Sequence, residues 1–400
     1  MIQFFYWLIS GTLLFFLVFP FGKVLLSRFF TEQIDDTKVT EDFDFGCIIT
    51  AYKNVKITEH LVRSLLKQSH QKFHIYLVAD ACDPAEFSLE DERLTILYPN
   101  PPLKLKAKSI IHAMDSYVRL HDYTAVFDAD NLAHPNFLTA INRYANQGYR
   151  SIQGQRTAKN LDSIYACADA TGEFYKNFVE RYVPYLIGSS SVISGSGMAV
   201  ETNLYRAYLN SPDIQAGKEK WKKMLQEDKI LQNFLLRRNE TIVFAKNAIV
   251  YDEKVTTADQ VETQRSRWLY SYFQNLPNSL GLIRRGLFNF SWNQLIFGLI
   301  TIAPPLFILL FSSIFCLILG LFIDPTMSIY LFMSLGIFVV NIFWSLYLSE
   351  VPDRIWNALW GIPLFIFKQF TALFKMSNPN KNFKHSEHTK AVKIEELLGK

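Results

Sequence analysis

Three stretches of this chain carry no charged side chain: Met1–Gly22, Gly286–Ile323 and Pro325–Ser349. Uncharged apolar runs of roughly 20 residues are long enough to cross a bilayer as helices. That excludes a wholly soluble protein. It also forces most of the 41 Lys+Arg and 37 Asp+Glu into the middle of the 400 residues. The overall figures, 50% hydrophobic and 20% charged, look ordinary because they average two unlike parts. An aromatic share of 15%, with 34 Phe, argues against disorder. A net charge of +4, spread thinly, argues against a nucleic-acid partner.

The cysteines, Cys47, Cys82, Cys167 and Cys316, are far apart and form no C-x-x-C pair. They read as free thiols of a reducing compartment. The first apolar run lacks a basic segment before it and a small-residue cleavage site after it, so it reads as a spanning helix rather than a signal peptide. Lys23, Arg28 and Lys38 follow it, and positive charge marks the cytoplasmic side.

These signals divide the chain as follows. Residues 1–26 are a membrane helix and 27–44 a polar linker. Residues 45–290 are a cytoplasmic α/β domain, closed by Arg284 and Arg285 at the membrane edge. Residues 291–349 hold two further spans, about Leu295–Ile323 and Met327–Leu348, with Trp292 in an interfacial aromatic belt. Residues 350–376 are an interfacial helix or a fourth span, with Lys368 interrupting the apolar run. Residues 377–400 form a basic cytoplasmic tail.

Within the central domain, FGCIIT (Phe45–Thr50), FHIYLVAD (Phe73–Asp80) and YTAVFD (Tyr123–Asp128) are buried-type strands. Helical periodicity over Val55–Gln68 and Lys104–Leu120 separates them. Strands alternating with helices predict a mostly parallel sheet, whose ligands bind at the carboxyl ends of the strands. Two of the three strands end there in an acid, Asp80 and Asp128.

Asp128-Ala129-Asp130 suits a hard divalent cation with a bound diphosphate, provided the chain stays extended so that both carboxylates face one way. The same pair also arises as ordinary surface acids. Asp80 is either a loop residue or an acceptor for a nucleotide base. Glu227 and Asp228 are either first-turn acids favoured by a helix dipole or the home of a general base. Lys106 and Lys108 open a helix, as solvated or as phosphate-binding residues. Ser194-Gly195-Ser196-Gly197 is a tight turn or a close approach to a ligand. Gln264, Arg267 and Trp268 share one helix face, fit for phosphate oxygens and a sugar ring or for lipid headgroups.

In this order the motifs resemble those of the membrane-integrated family 2 glycosyltransferases, akin to cellulose, chitin, hyaluronan and poly-N-acetylglucosamine synthases. The resemblance runs over about Phe45–Leu276. IITAYKN (Ile48–Asn54) is similar to the opening strand and turn, with Thr50, Ala51, Tyr52 and Asn54 at donor-binding positions. LVADACD places Asp80 against the base, and LKAKSI places Lys108 in the lysine position. FDADN makes Asp128 and Asp130 the metal and diphosphate ligands. QGQRTAKN (Gln153–Asn160) resembles the stretch that follows. GSG (Gly195–Gly197) resembles an acceptor-side turn. QED (Gln226–Asp228) makes Asp228 the catalytic base, with Glu227 on the acceptor side. QRSRW matches the family's Q-x-x-R-W, with Gln264 and Arg267 toward the donor diphosphate and Trp268 on the acceptor sugar. FKHSEH (Phe383–His388) looks like a gating segment, or is simply basic tail.

The resemblance implies a GT-A-type, Rossmann-like α/β domain held by helical membrane segments at the plasma (cell inner) membrane. It implies inverting transfer from a UDP-sugar, with Mg²⁺ or Mn²⁺, to a growing glycan. Two alternatives stand beside this reading: transfer of one sugar to a lipid or polyprenyl carrier, and an inactive scaffold or transport component. Membrane lipids are implied partners, with a second copy or an export partner as open additions.

Overall fold

The computed structural model describes residues 1–32, 34–215, 226–361 and 392–399. The expected FKHSEH segment, and most of the expected interfacial helix and tail, lie outside the described residues. Those described fall into two compact units. One holds residues 1–32, 162–189 and 255–361; the other holds the rest. The stretches 162–189 and 255–290 group with the apolar helices.

The sheet unit has eight strands: β1 (Phe45–Tyr52), β2 (Phe73–Asp80), β3 (Leu94–Leu97), β4 (Tyr123–Asp128), β5 (Leu132–Ala133), β6 (Ser151–Ala158), β7 (Met198–Glu201) and β8 (Ile242–Asp252). Their order is β3-β2-β1-β4-β7-β6-β8-β5. The β3-β2-β1-β4 half is parallel, as is β6-β8, whereas β7 runs antiparallel to both its neighbours and β5 to β8. The expected mostly parallel sheet is present, and the antiparallel β7 makes it mixed. Every residue of β2 is buried, as covered parallel strands require.

From β1 the chain builds outward to β2 and β3, then returns to β4 on the other side of β1. A reversal of this kind opens a crevice at the carboxyl ends of the two strands where it occurs. Here it lies beyond Thr50 and Asp128, which are register partners. The amino ends are clamped by a relay. His121 Nδ1 donates to the Asp44 carboxylate at 2.6 Å, Tyr76 Oη lies 2.8 Å from His121 Nε2, and Arg119 Nε donates to Asp44 at 2.7 Å.

Two expected helices are shorter in the structure. The Lys104–Leu120 periodicity yields a helix only over Lys106–Asp115. Val55–Gln68 begins as a 3₁₀ turn, Lys56–Thr58, before the α-helix Glu59–Leu66.

In the other unit, among the described residues, three helices are long and apolar enough to cross a membrane: Ile2–Ser27, Leu306–Ile323 and Pro325–Leu348. They share a core that includes Tyr6, Leu13, Leu17, Leu309, Cys316, Leu331 and Phe338. The expected second span, Leu295–Ile323, is broken. Helix Trp292–Ile302 ends, and a new one starts at Leu306, because Pro304 and Pro305 lack N–H donors and disfavour a helical residue before them. A single residue, Asp324, separates the last two spans. Its carboxylate caps the next helix through the N–H groups of Thr326 and Met327, with Pro325 at the first helical position. Of the expected 350–376 element, the described part is the short helix Asp353–Ala358 and a 3₁₀ turn to Gly361.

Candidate active site

The site in the sheet unit is organised around the turn Ser194–Gly197. Gly195 and Gly197 have φ of +81° and +60°, a region that L side chains rarely adopt. The turn is held from three sides. The Gly197 N–H donates to Val126 O at 2.8 Å, and the Gly154 N–H donates to Gly197 O at 2.8 Å. The fully buried Gln153 accepts from the Ser194 N–H at 2.9 Å and donates to Ser196 O at 3.1 Å. Arg156 donates to Ser194 O at 3.0 Å and pairs with Asp252.

Lys106 reaches this turn from the first turn of its helix. Its ammonium donates to Asp128 Oδ1 at 2.5 Å and to Gly195 O at 2.8 Å, and lies 3.8 Å from Glu227 Oε1. Burial works against this charge, yet Asp128 and Glu227 hold its pKa above the ordinary lysine value. Burial would raise the Asp128 carboxyl, but Lys106 and Arg156 bring it below its usual range. Glu227 goes the other way. Burial, aided by the neighbouring Asp228 and opposed by Lys106, pushes it up to about 7. Lys108, the residue singled out from sequence, is two positions further on. Residues that far apart on a helix do not share a face, and Lys106 is the one in the cluster.

Glu227 and Asp228 open the helix Glu227–Arg237. The Asp228 carboxylate accepts the Lys229 N–H at 2.8 Å. A Cβ on Gly195 would sit at an ordinary van der Waals distance, 3.6 Å, from Asp228 Cβ, so the turn lies against this acid and the positive φ, not the space, is what favours glycine. The structure thus brings Asp128, Gly195, Glu227 and Asp228 together around Lys106.

Asp130 departs from the sequence expectation in its geometry. β4 ends at Asp128, and a turn follows in which the Asn131 N–H donates to Asp128 O at 3.1 Å and the Asp128 N–H to Asn131 Oδ1 at 3.0 Å. The two carboxylates therefore do not sit on one face of an extended strand. Asp130 is buried, with the Glu253 N–H 3.4 Å from its Oδ2 and Lys159 Nζ donating to its carbonyl at 3.2 Å. Among the described residues no group of three or more His, Cys, Asp or Glu is arranged to hold a metal ion by itself. Two hard carboxylates one residue apart still fit Mg²⁺ or Mn²⁺, which bind through one or two carboxylates when substrate phosphates supply further oxygens.

Asp80 is 2% exposed, and its two oxygens accept the N–H groups of Leu103 at 2.8 Å and Lys104 at 2.6 Å. This carboxylate already anchors the loop that leads into the Lys106 helix. Thr50, Ala51 and Tyr52 close β1, Lys53 takes a φ of +64°, and Asn54 is exposed beyond it. A cleft of about 1070 Å³ elsewhere in the unit is lined by Tyr117, Arg119, His121, Arg150 and Arg206 among others, and by none of these acids.

Gln264, Arg267 and Trp268 belong to the other unit, on the helix Ala258–Phe288, started by a capping box of Thr257 and Gln260. Trp268 is 40% exposed. The Arg265 guanidinium lies 4.2 Å and Lys176 Nζ 4.9 Å from its ring centre. Arg265 is paired with Asp169, both largely buried. Burial lowers the pKa of Arg267.

Sequence reasoning named Lys106 beside Lys108 and the stretch Gln153–Asn160 without giving Gln153 and Arg156 a role, and it passed over Asp252. A signal was present for Gln153 and Arg156, which are polar residues in an otherwise strand-like stretch.

A family model described as "Glycosyltransferase like family 2" matches residues 44–271, more than half of the chain. Among solved structures, the mannosyltransferase PcManGT from Pyrobaculum calidifontis, in complex with GDP-Man and Mn²⁺, matches at 12% identity with a TM-score of 0.49, covering 92% of this chain and 100% of that one. No curated protein matches.

Proposed function

The chain belongs to the glycosyltransferase-like family 2, and from that premise we propose that it transfers a sugar from a UDP-sugar to a growing glycan at a membrane. Its mixed sheet is the Rossmann-like GT-A fold of the family. The observation that carries the reading is the convergence of Asp128, Glu227, Asp228 and Lys106 on the Gly195 turn, at the switch point of the sheet.

In this mechanism Asp228 accepts the proton of an acceptor hydroxyl. The freed oxygen electron pair bonds to the anomeric carbon on the face opposite the leaving group. The bond from that carbon to the diphosphate breaks, its electrons stay on the phosphate oxygen, and configuration inverts. Asp128 and Asp130 would hold Mg²⁺ or Mn²⁺, whose charge neutralises the diphosphate as it leaves. Lys106 and Arg156 would add positive charge for the departing diphosphate, and electrostatic stabilisation of this kind is usually the largest catalytic contribution; Lys108, which lies off this cluster, keeps a donor-side role from the resemblance alone. Thr50, Ala51, Tyr52, Asn54 and Asp80 are proposed on the donor side and Gly197 on the acceptor side; the donor role of Gln264 and Arg267 and the acceptor role of Trp268 are proposed from the Q-x-x-R-W resemblance alone. Lys23 and Arg28, at the end of the first span, support a cytoplasmic catalytic unit; the plasma membrane as its location is part of the same proposal.

The three candidate spans among the described residues favour a second reading, a single sugar added to a lipid-linked acceptor, because those three helices by themselves line at most a thin channel. One experiment separates the readings. The full chain in detergent is screened for UDP release across nucleotide sugars with Mn²⁺, and the products are sized. Long products support the first reading and single additions the second. No nucleotide release from any donor leaves an inactive family member. Asp228→Asn is expected to abolish transfer with nucleotide binding intact; near wild-type turnover would remove Asp228 as the base.

A further inference from the structure

The ammonium of Lys106 lies between the two kinds of acid this site needs for different purposes. On one side is Asp128, proposed above as a ligand of the divalent cation. On the other is Glu227, beside the proposed base. The contacts, 2.5 Å to Asp128 Oδ1, 2.8 Å to Gly195 O and 3.8 Å to Glu227 Oε1, give one cation an oxygen environment of two carboxylates and a carbonyl. That set of hard oxygens is also what a divalent cation seeks. The Lys106 side chain is only 23% exposed, and its helix starts two residues after Lys104, whose φ is +59° and whose N–H is held by Asp80. The base of the lysine is therefore fixed, and its four-carbon stem is the part that can swing.

We propose that Lys106 is a built-in placeholder cation, occupying the Asp128 side of the metal site until a divalent cation arrives with the donor diphosphate. The inference rests on the transferase reading and deepens it by giving the site an order of loading. Without the donor, Lys106 neutralises Asp128 and keeps the Ser194–Gly197 turn and Glu227 in register. A divalent cation alone has to displace an ion pair to reach Asp128, so it binds poorly. The diphosphate tips the balance, because it offers the displaced ammonium a new anionic partner while supplying oxygens to the metal. Metal and donor thus load together. Lys106 acts here as a positioning residue.

The test reads metal affinity without nucleotide. Mn²⁺ is titrated into the full chain in detergent, and free Mn²⁺ is followed by electron paramagnetic resonance. Lys106→Met keeps the stem and removes the charge, and is expected to tighten nucleotide-free Mn²⁺ binding by about tenfold or more, since a competing charge in contact with the ligand is gone. Lys106→Arg keeps the charge and should stay near wild type. Adding Asp130→Asn to Lys106→Met should abolish the gain, which ties it to this site. Unchanged or weaker Mn²⁺ binding by a folded Lys106→Met, judged by its melting curve, overturns the inference, as does a gain that survives Asp130→Asn. The failure of the transferase reading looks different: no UDP release from any donor by the wild-type chain.

Discussion

Gly154→Ala tests whether the glycine turn is held as the structure holds it. Gly154 lies in β6 where the pairing with β8 breaks register, between Gly154 opposite Ala245 and Gln155 opposite Ile249. A Cβ at this position would meet Ala248 O at 2.6 Å, Gly197 O at 2.8 Å and Phe137 Cε2 at 2.9 Å. Two of these are backbone oxygens and the third belongs to a fully buried ring, so none can swing aside. Overpacking a well-filled core costs about 1–3 kcal/mol, and three simultaneous overlaps put this variant at the upper end. For a unit of this size that lowers the melting temperature by roughly 6–12 °C. The damage is not confined to stability. Gly154 donates to Gly197 O, and Gly195 O accepts Lys106, so moving the turn moves the lysine away from Asp128. Differential scanning fluorimetry of the detergent-solubilised chain reads the first effect and UDP release reads the second. A melting temperature within about 2 °C of wild type, together with wild-type turnover, would refute the packing argument.

Gly172→Ala is the counterpart: nothing lies within 4 Å of the added carbon inside the helix Ile164–Lys176, so it should stabilise by about 0.5–1 kcal/mol, read as a small rise in melting temperature. Glu227→Gln addresses the raised carboxyl. A group that binds its proton more tightly folded than unfolded loses stability as pH rises from its ordinary 4.5 to about 7, so the wild type should soften across that window and the variant should not. Melting curves at pH 5 and pH 8 check this, and an equal slope in both proteins counts against it. Asp44→Asn addresses the opposite sign. Burial works to raise Asp44, but hydrogen bonds from His121 and Arg119 depress it to about 2. Its contribution is then present at neutral pH and lost as pH falls from its ordinary 3.8 through about 2. The variant should be less stable by about 2 kcal/mol at pH 7, with the gap closing only below about pH 4; a gap that does not change with pH would point to lost packing instead.

How much of this was legible follows from the range of each interaction. The strands β1, β2 and β4 could be read because continuous apolar runs of strand length are a local signal, and their terminal acids stand next to them in sequence. The GSG turn was legible for the same reason. The pairs that fix the site were not. Arg156 meets Asp252 and Gln153 meets Ser194 only because β6 lies between β7 and β8, an order no local pattern encodes. The choice between Lys106 and Lys108 turned on helix phase. Lys104 looked like the first helical residue, but its left-handed backbone and the extended Leu105 delay the start to Lys106, placing that residue toward Asp128. The Pro304-Pro305 break was present in the sequence and was overrun by the apolar count. Hydropathy measures length in a solvent and is blind to missing N–H groups. The same limit applies to 162–189, which the family model includes. That stretch is charged, so composition places it with the sheet, whereas Lys176, Glu173 and Arg181 are largely satisfied inside the helical unit by Trp268 and by one another. Charge locates water only when it is unpaired, and here the pairing, not the composition, decides the unit to which a residue belongs.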